Sequence, residues 1–307
     1  MMRSTVFGML LLGLVARDAF SQAMPFHTPT AMPLPLAEHA LRAFYQRIEL
    51  GSLLRDGDEI GNPEGARVSV DALPLAAPYG LTGKTTLFLG IPYLRKTFEE
   101  RAGERRNSGL GDAFVLIKQE LLQRDFLAGN RRLALFAGGT LPTGETGDAA
   151  DPLPPALRLG AGTVTLTGFA VYSHVDDRVG VHGRLGYSGA LGDRFGVRPG
   201  GRLLYDVGFG YRLLPHAYAS MRDATLSAYL ELNGALEGRA TRDSARLPDT
   251  GGHTLFVSPG IQFIPLPNWA LEASLQLPVV RELNGTQLAP DWSLAVGART
   301  VFYLFGH

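Results

Sequence analysis

The stretch RLLYDVGFGYRL, residues 202–213, alternates apolar and polar or small side chains with a period of two. Leu203, Val207 and Tyr211 fall on one face, and Arg202 and Asp206 fall on the other. Such alternation predicts a β-strand with one apolar and one polar face, because successive side chains of a strand point to opposite sides. The same pattern recurs at 178–187, 224–236 and 269–277.

Twelve segments of this kind can be counted along the chain. Most reach the nine to eleven residues of a tilted membrane-crossing strand, whereas strands of soluble sheets usually have five or six. We therefore predict an all-β fold, a transmembrane antiparallel up-and-down β-barrel of about 12 strands, with 10 or 14 as alternatives. The segments lie near residues 41–51, 66–75, 83–94, 110–123, 130–142, 161–174, 178–189, 201–214, 223–236, 253–265, 268–280 and 290–305.

The connections between these segments alternate in length. Long polar connections such as RKTFEERAGERRNSG follow odd-numbered segments, and shorter ones such as HVDDR and PLPN follow most even-numbered segments. Outer-membrane barrels have long loops on the outside and short turns in the periplasm. The alternation therefore supports the barrel independently of strand length.

The N-terminus carries a separate signal. Residues 1–23 combine Arg3, an apolar run over 6–15 and the small residues Ser21 and Ala23, which is typical of a cleaved signal peptide. Residues 24–40 are rich in proline and have no period, so we expect a flexible segment there and the barrel over 41–307. We expect export to a bacterial outer membrane, with its lipids and the barrel-insertion machinery as partners.

Composition excludes several function classes. The chain has no cysteine, which rules out disulfides and thiol chemistry, and Lys+Arg and Asp+Glu are both 29, which gives no sign of a nucleic-acid partner. GTLPTGET, residues 139–146, differs from a phosphate-binding loop by carrying Glu145 where that loop needs lysine. We expect no cofactor and no metal, since the acidic loop around Asp56, Asp58 and Glu59 lacks the other positions of a calcium loop.

Three short motifs carry a resemblance to a known family. Gly109-Leu110-Gly111-Asp112 opens a predicted strand, Leu141-Pro142-Thr143-Gly144-Glu145 closes the next one, and Gly160-Ala161-Gly162-Thr163 opens the one after. Together they resemble the bacterial outer-membrane barrel family labelled as putative transporters of the meta-pathway of phenol degradation. The resemblance implies a barrel that passes small, often hydrophobic or aromatic, solutes and supplies no catalytic residues.

Charged residues on the polar strand faces are the candidate lumen residues. We expect the arginines either to form a constriction that favours anionic solutes or to form ion pairs that hold the interior together, and the sequence leaves both open. Arg47 and Glu49 fall on such a face as well, as do Lys118 and Glu120. The lumen or constriction candidates are Arg178, His182, Arg184, Arg202, Asp206, Arg212, Glu231, Glu272 and Arg299.

Two other function classes remain as alternatives to a pore or transporter. One is an outer-membrane lipid-modifying hydrolase, for which His174, His253 and Ser258 are the candidate residues. His253 and Ser258 are an odd number of positions apart and should face opposite sides of a strand, and no G-x-S-x-G or H-E-x-x-H motif occurs. We therefore predict that the protein is not an enzyme. The other alternative is a structural or adhesive barrel without transport, and the oligomeric state is open.

Overall fold

A computed structural model describes residues 25–148, 150–220 and 222–304, of which most form β-strands. The predicted signal peptide, Met24 and the C-terminal residues 305–307 lie outside the described residues. Among the residues described, no helix is long and apolar enough to cross a membrane.

Twelve antiparallel strands form a closed barrel, which confirms the predicted fold class and strand number. Each strand pairs with the next one along the chain, and the last pairs with the first from Glu38 opposite Tyr303 to Arg55 opposite Thr286. The strands are β1 (Glu38–Arg55), β2 (Arg67–Thr82), β3 (Thr85–Glu100), β4 (Ala113–Phe126), β5 (Gly129–Leu141), β6 (Thr165–Asp176), β7 (Val179–Ala190), β8 (Arg202–Leu214), β9 (Thr225–Glu237), β10 (Gly252–Leu266), β11 (Trp269–Leu283) and β12 (Thr286–Tyr303).

The two ends of the barrel differ, and we call them the loop end and the turn end. Long connections after β1, β3, β5, β7 and β9 meet at the loop end, whereas β2 and β3, for example, are joined at the turn end by Gly83 and Lys84 alone. Two predicted connections are partly strand, because Gly103–Leu110 pairs back onto β3 and Asp58–Ile60 pairs back onto β1. A small sheet of Val197–Arg198, Thr241–Arg242 and Ala245–Arg246 lies at the loop end.

Apolar side chains cover the outside of the barrel. In β8, Val207 and Phe209 are 53% and 47% exposed, whereas Arg202 and Asp206 on the other face are buried. Aromatic residues lie near both ends of this outer face, since Tyr211 lies opposite Val179 near the turn end and Tyr187 lies opposite Leu203 near the loop end. An apolar band bounded by aromatic residues is the outer surface of a barrel that crosses a membrane.

The outer face also includes two residues that the sequence analysis placed on a polar, inward face. Arg47 and Glu49 point outward, where Arg47 contacts Glu49 at 2.6 Å and Asp71 at 3.1 Å. The inward positions of β1 are mixed: they include Arg42 and Gln46 as well as apolar residues, and Phe44 packs against Phe26 inside the barrel with ring centres 5.4 Å apart. Alternation separates the two faces of a strand without stating which one is inside.

The N-terminal segment 25–37, here called the lumen segment, lies inside the barrel. Residues 25–30 are buried, and the Ala31 and Leu34 amides donate 2.8 Å hydrogen bonds to Ser173 Oγ of β6 and Thr86 Oγ1 of β3. Gly208 of β8 gives it room, since a Cβ at this position would lie 2.9 Å from the Pro25 ring. A proline-rich stretch without a period thus finds its partners on the inner wall.

A charge placed in the outer apolar band should destabilise the barrel according to its depth. We expect Val207→Arg in the middle of β8 to lower the free energy of unfolding by about 2 to 4 kcal/mol, and Leu236→Arg near the loop end of β9 to lower it by about 0 to 1 kcal/mol. Urea unfolding in lipid vesicles measures both. Equal costs at the two positions would contradict the assignment of the outer face to lipid.

Candidate functional site

One side of the barrel's inner wall carries a cluster of aromatic side chains. Four buried phenylalanines, Phe88, Phe114, Phe136 and Phe169, project inward from the successive strands β3 to β6 and pack with Ala31 of the lumen segment. The ring centres of Phe136 and Phe169 are 4.4 Å apart in a stacked arrangement, and those of Phe88 and Phe136 are 5.7 Å apart. We call this surface the phenyl wall.

A single buried lysine of β4 lies among these rings. The Lys118 ammonium is 5.1 Å from the centre of the Phe136 ring and 5.4 Å from that of Phe88, within the range of a cation–π interaction. It also donates a 2.5 Å hydrogen bond to the carbonyl of Met32 in the lumen segment. Lys118 therefore ties the lumen segment to the phenyl wall.

The opposite side of the inner wall, here called the charged wall, carries charged residues of β1, β7, β8 and β11 that form ion pairs. Arg42 of β1 contacts Glu272 of β11 at 2.5 Å, and its guanidinium lies 4.9 Å from the centre of the Phe26 ring. Arg184 of β7 contacts Asp206 of β8 at 2.5 Å in the same way. Pairs of this kind offset the cost of removing both charges from water.

Glu231 of β9 holds the lumen segment through three consecutive backbone amides. Its carboxylate is fully buried and accepts hydrogen bonds from the amides of Phe26 at 2.8 Å, His27 at 2.9 Å and Thr28 at 2.5 Å. The His27 ring adds a 3.0 Å hydrogen bond to Ser274 of β11. Hydrogen bonds to an ionised acceptor are among the strong ones, so this contact is the main polar anchor of the segment's first residues.

Little space remains between the lumen segment and the charged wall. A cavity of about 90 Å³ lies there. Sites for small organic ligands usually have roughly 300 to 1,000 Å³, so this cavity suits a few water molecules rather than a solute. Its lining includes His27, Gln46, Arg184, Asp206, Asn233 and Gln276.

The structure places most of the predicted lumen residues on the inner wall, some in ion pairs and the others buried elsewhere on that wall. Arg184 and Asp206 form one pair, and Glu272 with Arg42 forms a second. Towards the two ends, Arg202 contacts Glu237 at 3.2 Å near the loop end, and Arg212 contacts Asp177 at 2.8 Å near the turn end. The others, His182, Glu231 and Arg299, are buried on the same inner wall.

Arg178 lies elsewhere. It occupies the turn between β6 and β7, where its guanidinium donates to the carbonyl of Arg212 at 2.8 Å and lies 4.7 Å from the centre of the Tyr211 ring on the outer face. The prediction had treated residue 178 as part of a strand. In a turn the alternation of faces no longer applies.

Sequence reasoning missed the phenyl wall and Arg42. Around Phe88 the sequence TTLFLG is apolar on both faces of the strand, which is the pattern of a strand buried on both sides. That signal was available for the phenyl wall. Arg42 has no comparable signal, because its role depends on Glu272 at the far end of the chain.

The three motifs that carried the family resemblance meet at the loop end. The Asp112 carboxylate accepts hydrogen bonds from the amide of Gly144 at 2.9 Å and from that of Ala161 at 2.7 Å. Burial raises the pKa of this carboxyl above its ordinary value, and the two amide hydrogen bonds partly oppose the shift. Asp112 thus fixes both ends of the long connection between β5 and β6.

The candidate residues of a hydrolase do not assemble. His253 faces outward and lies 2.6 Å from the Tyr205 hydroxyl, whereas Ser258 is buried on the inner wall and donates to Asn233 at 2.7 Å. His174 lies close to the turn end, where Arg131 donates to its ring at 3.3 Å. Within the described residues no group of three His, Cys, Asp or Glu side chains could hold a metal ion.

A closed antiparallel barrel with an apolar outer band and a lumen lined by side chains is the fold of outer-membrane β-barrel channels. Among solved structures, the chain is similar to the COG4313 outer membrane channel from Pseudomonas putida F1, with 19% sequence identity, a TM-score of 0.71 and coverage of 92% of this chain and 100% of that one. The translocator domain of the autotransporter NalP from Neisseria meningitidis matches with 13% identity, a TM-score of 0.46 and coverage of 88% and 90%. A Pseudomonas aeruginosa FadL homologue matches with 12% identity, a TM-score of 0.41 and coverage of 90% and 93%. No protein-family model matches the sequence, and no curated protein matches it.

Proposed function

We propose that the protein is an outer-membrane transporter for small aromatic or hydrophobic solutes. The phenyl wall is the observation that carries this proposal. Its rings line the inside of the barrel along four neighbouring strands, a surface that suits an aromatic solute and whose rings offer no hydrogen-bonding groups to the hydroxyls of a sugar. The similarity to an outer membrane channel supports the same class of function.

The charged wall has a structural role in this proposal. Two of its arginines have carboxylate partners, Arg42 with Glu272 and Arg184 with Asp206, so these two do not present free charge to an anionic solute. Of the two interpretations left open by the sequence, the geometry supports ion pairs that hold the interior together. The pairs also keep the wall opposite the rings polar and hydrated.

Transport further requires the lumen segment to move. With residues 25–37 in place the free space beside the charged wall is only about 90 Å³, too little for an aromatic solute. The segment packs on the phenyl wall through Ala31 and is anchored on the other side by Glu231. Its displacement would expose the rings along the whole lumen.

Location and partners follow from the same proposal. The signal peptide over 1–23 would deliver the chain to the periplasm, the insertion machinery would place it in the outer membrane, and lipids would cover the apolar band. Uptake of phenol-like compounds for a meta-cleavage pathway is consistent with the phenyl wall. The solute class, rather than that pathway, is what the geometry supports.

The solute class can be tested with proteoliposomes. We expect a variant without residues 25–36 to pass phenylalanine faster than a sugar of similar size, and Phe136→Gln in that variant to lower the phenylalanine flux about two- to tenfold, since an aromatic contact is worth about 0.5 to 1.5 kcal/mol. Phe209→Gln, the same change on the outer face, should leave the ratio of the two fluxes unchanged. Equal loss of both fluxes in Phe136→Gln, or no flux in any variant, would count against the proposal.

A further inference from the structure

A group of arginines at the loop end stands apart from the lumen. Arg158 belongs to the connection between β5 and β6, Arg194 to that between β7 and β8, and Arg242 to that between β9 and β10. Three connections that are distant in sequence therefore each contribute one positive charge. We call these residues the arginine cluster.

Phe195 brings two members of the arginine cluster together. Its ring centre lies 4.4 Å from the guanidinium carbon of Arg194 and 5.4 Å from that of Arg158. Phe195 has φ of 55°, a left-handed conformation that side chains other than glycine rarely adopt. The turn that requires it is closed by hydrogen bonds between Arg194 and Val197, in both directions.

Neighbouring backbone fixes the other parts of the arginine cluster. Arg194 donates to the carbonyl of Gly147 at 3.0 Å, and its side chain packs on Gly162, where a Cβ would lie 2.6 Å from the Arg194 chain. Gly162 itself has φ of 70°. Arg242 lies directly opposite Val197 in the small sheet, and Val197 follows Phe195 by two positions in the sequence. The side chains of Arg158 and Arg194 are thus held in place, and the backbone of Arg242 is fixed by the small sheet.

The arginine cluster lacks acidic partners. Among the described residues, no carboxylate lies within 4.0 Å of any of its three guanidinium groups. Three of the acids nearby accept hydrogen bonds from other groups: Asp193 accepts from the amide of Gly196 at 3.2 Å, and Asp148 accepts from that of Asp151 at 2.7 Å. Glu145 accepts from Asn107 at 3.2 Å.

The electrostatic consequence is visible at Arg158. Partial burial lowers the pKa of this guanidinium, and the charges of Arg194 and Arg242 lower it further. In the lumen, by contrast, an arginine lies beside an acid, as Arg184 does beside Asp206. Like charges gathered by a rigid framework gain stability when an anion joins them.

We propose that Arg158, Arg194 and Arg242 form a binding site for a phosphate group at the loop end of the barrel. A phosphate carries up to two negative charges and three oxygens, which suits several guanidinium forks better than a carboxylate does. The phosphate can belong to a soluble compound or to the headgroup of a membrane lipid. This site is independent of the solute class proposed for the lumen.

Phosphate titration by calorimetry on the full-length folded protein in detergent tests the site. We expect binding of inorganic phosphate by the unchanged protein, and an affinity lower by about tenfold or more in Arg158→Gln and in Arg242→Gln. Arg246→Gln is the matched control, because it removes the same charge from the same small sheet next to Thr241. Gel mobility before and after boiling verifies that each variant is a closed barrel.

Two results would overturn the site: no phosphate binding by the unchanged protein, or an equal change in Arg246→Gln and the cluster variants. A second arm distinguishes the sources of the phosphate. In phosphatidylcholine vesicles that contain phosphatidic acid, a site occupied by lipid headgroups should show weaker binding of added phosphate than in phosphatidylcholine alone. Equal binding in both vesicles assigns the site to a soluble phosphate compound.

Discussion

Replacing Glu231 by alanine should open the lumen and raise the single-channel conductance severalfold. The buried carboxylate accepts hydrogen bonds from the amides of Phe26, His27 and Thr28, and alanine would leave all three without this acceptor. An unsatisfied buried donor costs about 1 to 3 kcal/mol. Water can satisfy the same amides outside the barrel, so the change shifts the equilibrium towards release of the lumen segment.

Planar-bilayer recordings of Glu231→Ala, beside a variant without residues 25–36, measure this effect. Glu237→Ala is the matched control. Glu237 lies on the same strand as Glu231, and its carboxylate pairs with Arg202 rather than with the lumen segment. We expect Glu231→Ala to approach the conductance of the deletion and Glu237→Ala to remain near that of the unchanged protein. Identical conductance in Glu231→Ala, Glu237→Ala, the deletion variant and the unchanged protein would mean that the lumen segment does not limit the pore.

Replacing Asp112 by alanine should release the long connection between β5 and β6. The change removes the acceptor for the amides of Gly144 and Ala161, at the two ends of that connection. With about 1 to 3 kcal/mol for each buried amide left unpaired, we expect a loss of roughly 2 to 6 kcal/mol in the local stability of the connection. The barrel strands should remain paired.

Limited trypsin digestion measures that local stability, because Arg158 lies within the connection and is only partly exposed. We expect cleavage at Arg158 to be at least about tenfold faster in Asp112→Ala. Asp112→Asn should give an intermediate rate because it keeps one carbonyl oxygen, and Asp151→Ala, an exposed acid of the same connection, should cleave as the unchanged protein does. If Asp112→Ala is cleaved at Arg158 as slowly as the unchanged protein, Asp112 does not hold the connection between β5 and β6.

The fold followed from the sequence because each barrel strand has only two environments. Lipid on one side and the lumen on the other impose a period of two, which β8 shows from Arg202 to Leu213. The lumen segment obeys no such rule. Its partners, such as Glu231 and Ser173, are brought together only by closure of the barrel, so no local pattern marks it.

The candidate site was predictable only in part, for a related reason. Charged residues on strands that are otherwise apolar stand out in the sequence, and Asp206 and Glu272 are buried on the inner wall, whereas Arg47 and Glu49 are on the outer face. Residue type alone does not separate phenylalanines that face inward from those that face lipid, such as Phe136 and Phe209, and only a stretch that is apolar on both faces, as around Phe88, marks the inner ones. The choice of pairs, Arg42 with Glu272 among them, depends on a register between the ends of the chain.

The contacts of the lumen segment also set an order of assembly. Phe26 reaches Glu231 across 205 positions of sequence, and His27 reaches Ser274 across 247. A segment cannot dock on strands that have not yet formed, and the partners of this one lie on strands β9 and β11, late in the chain. The lumen segment therefore reaches its final place after the strands have closed, and a newly closed barrel has an open lumen until the segment docks.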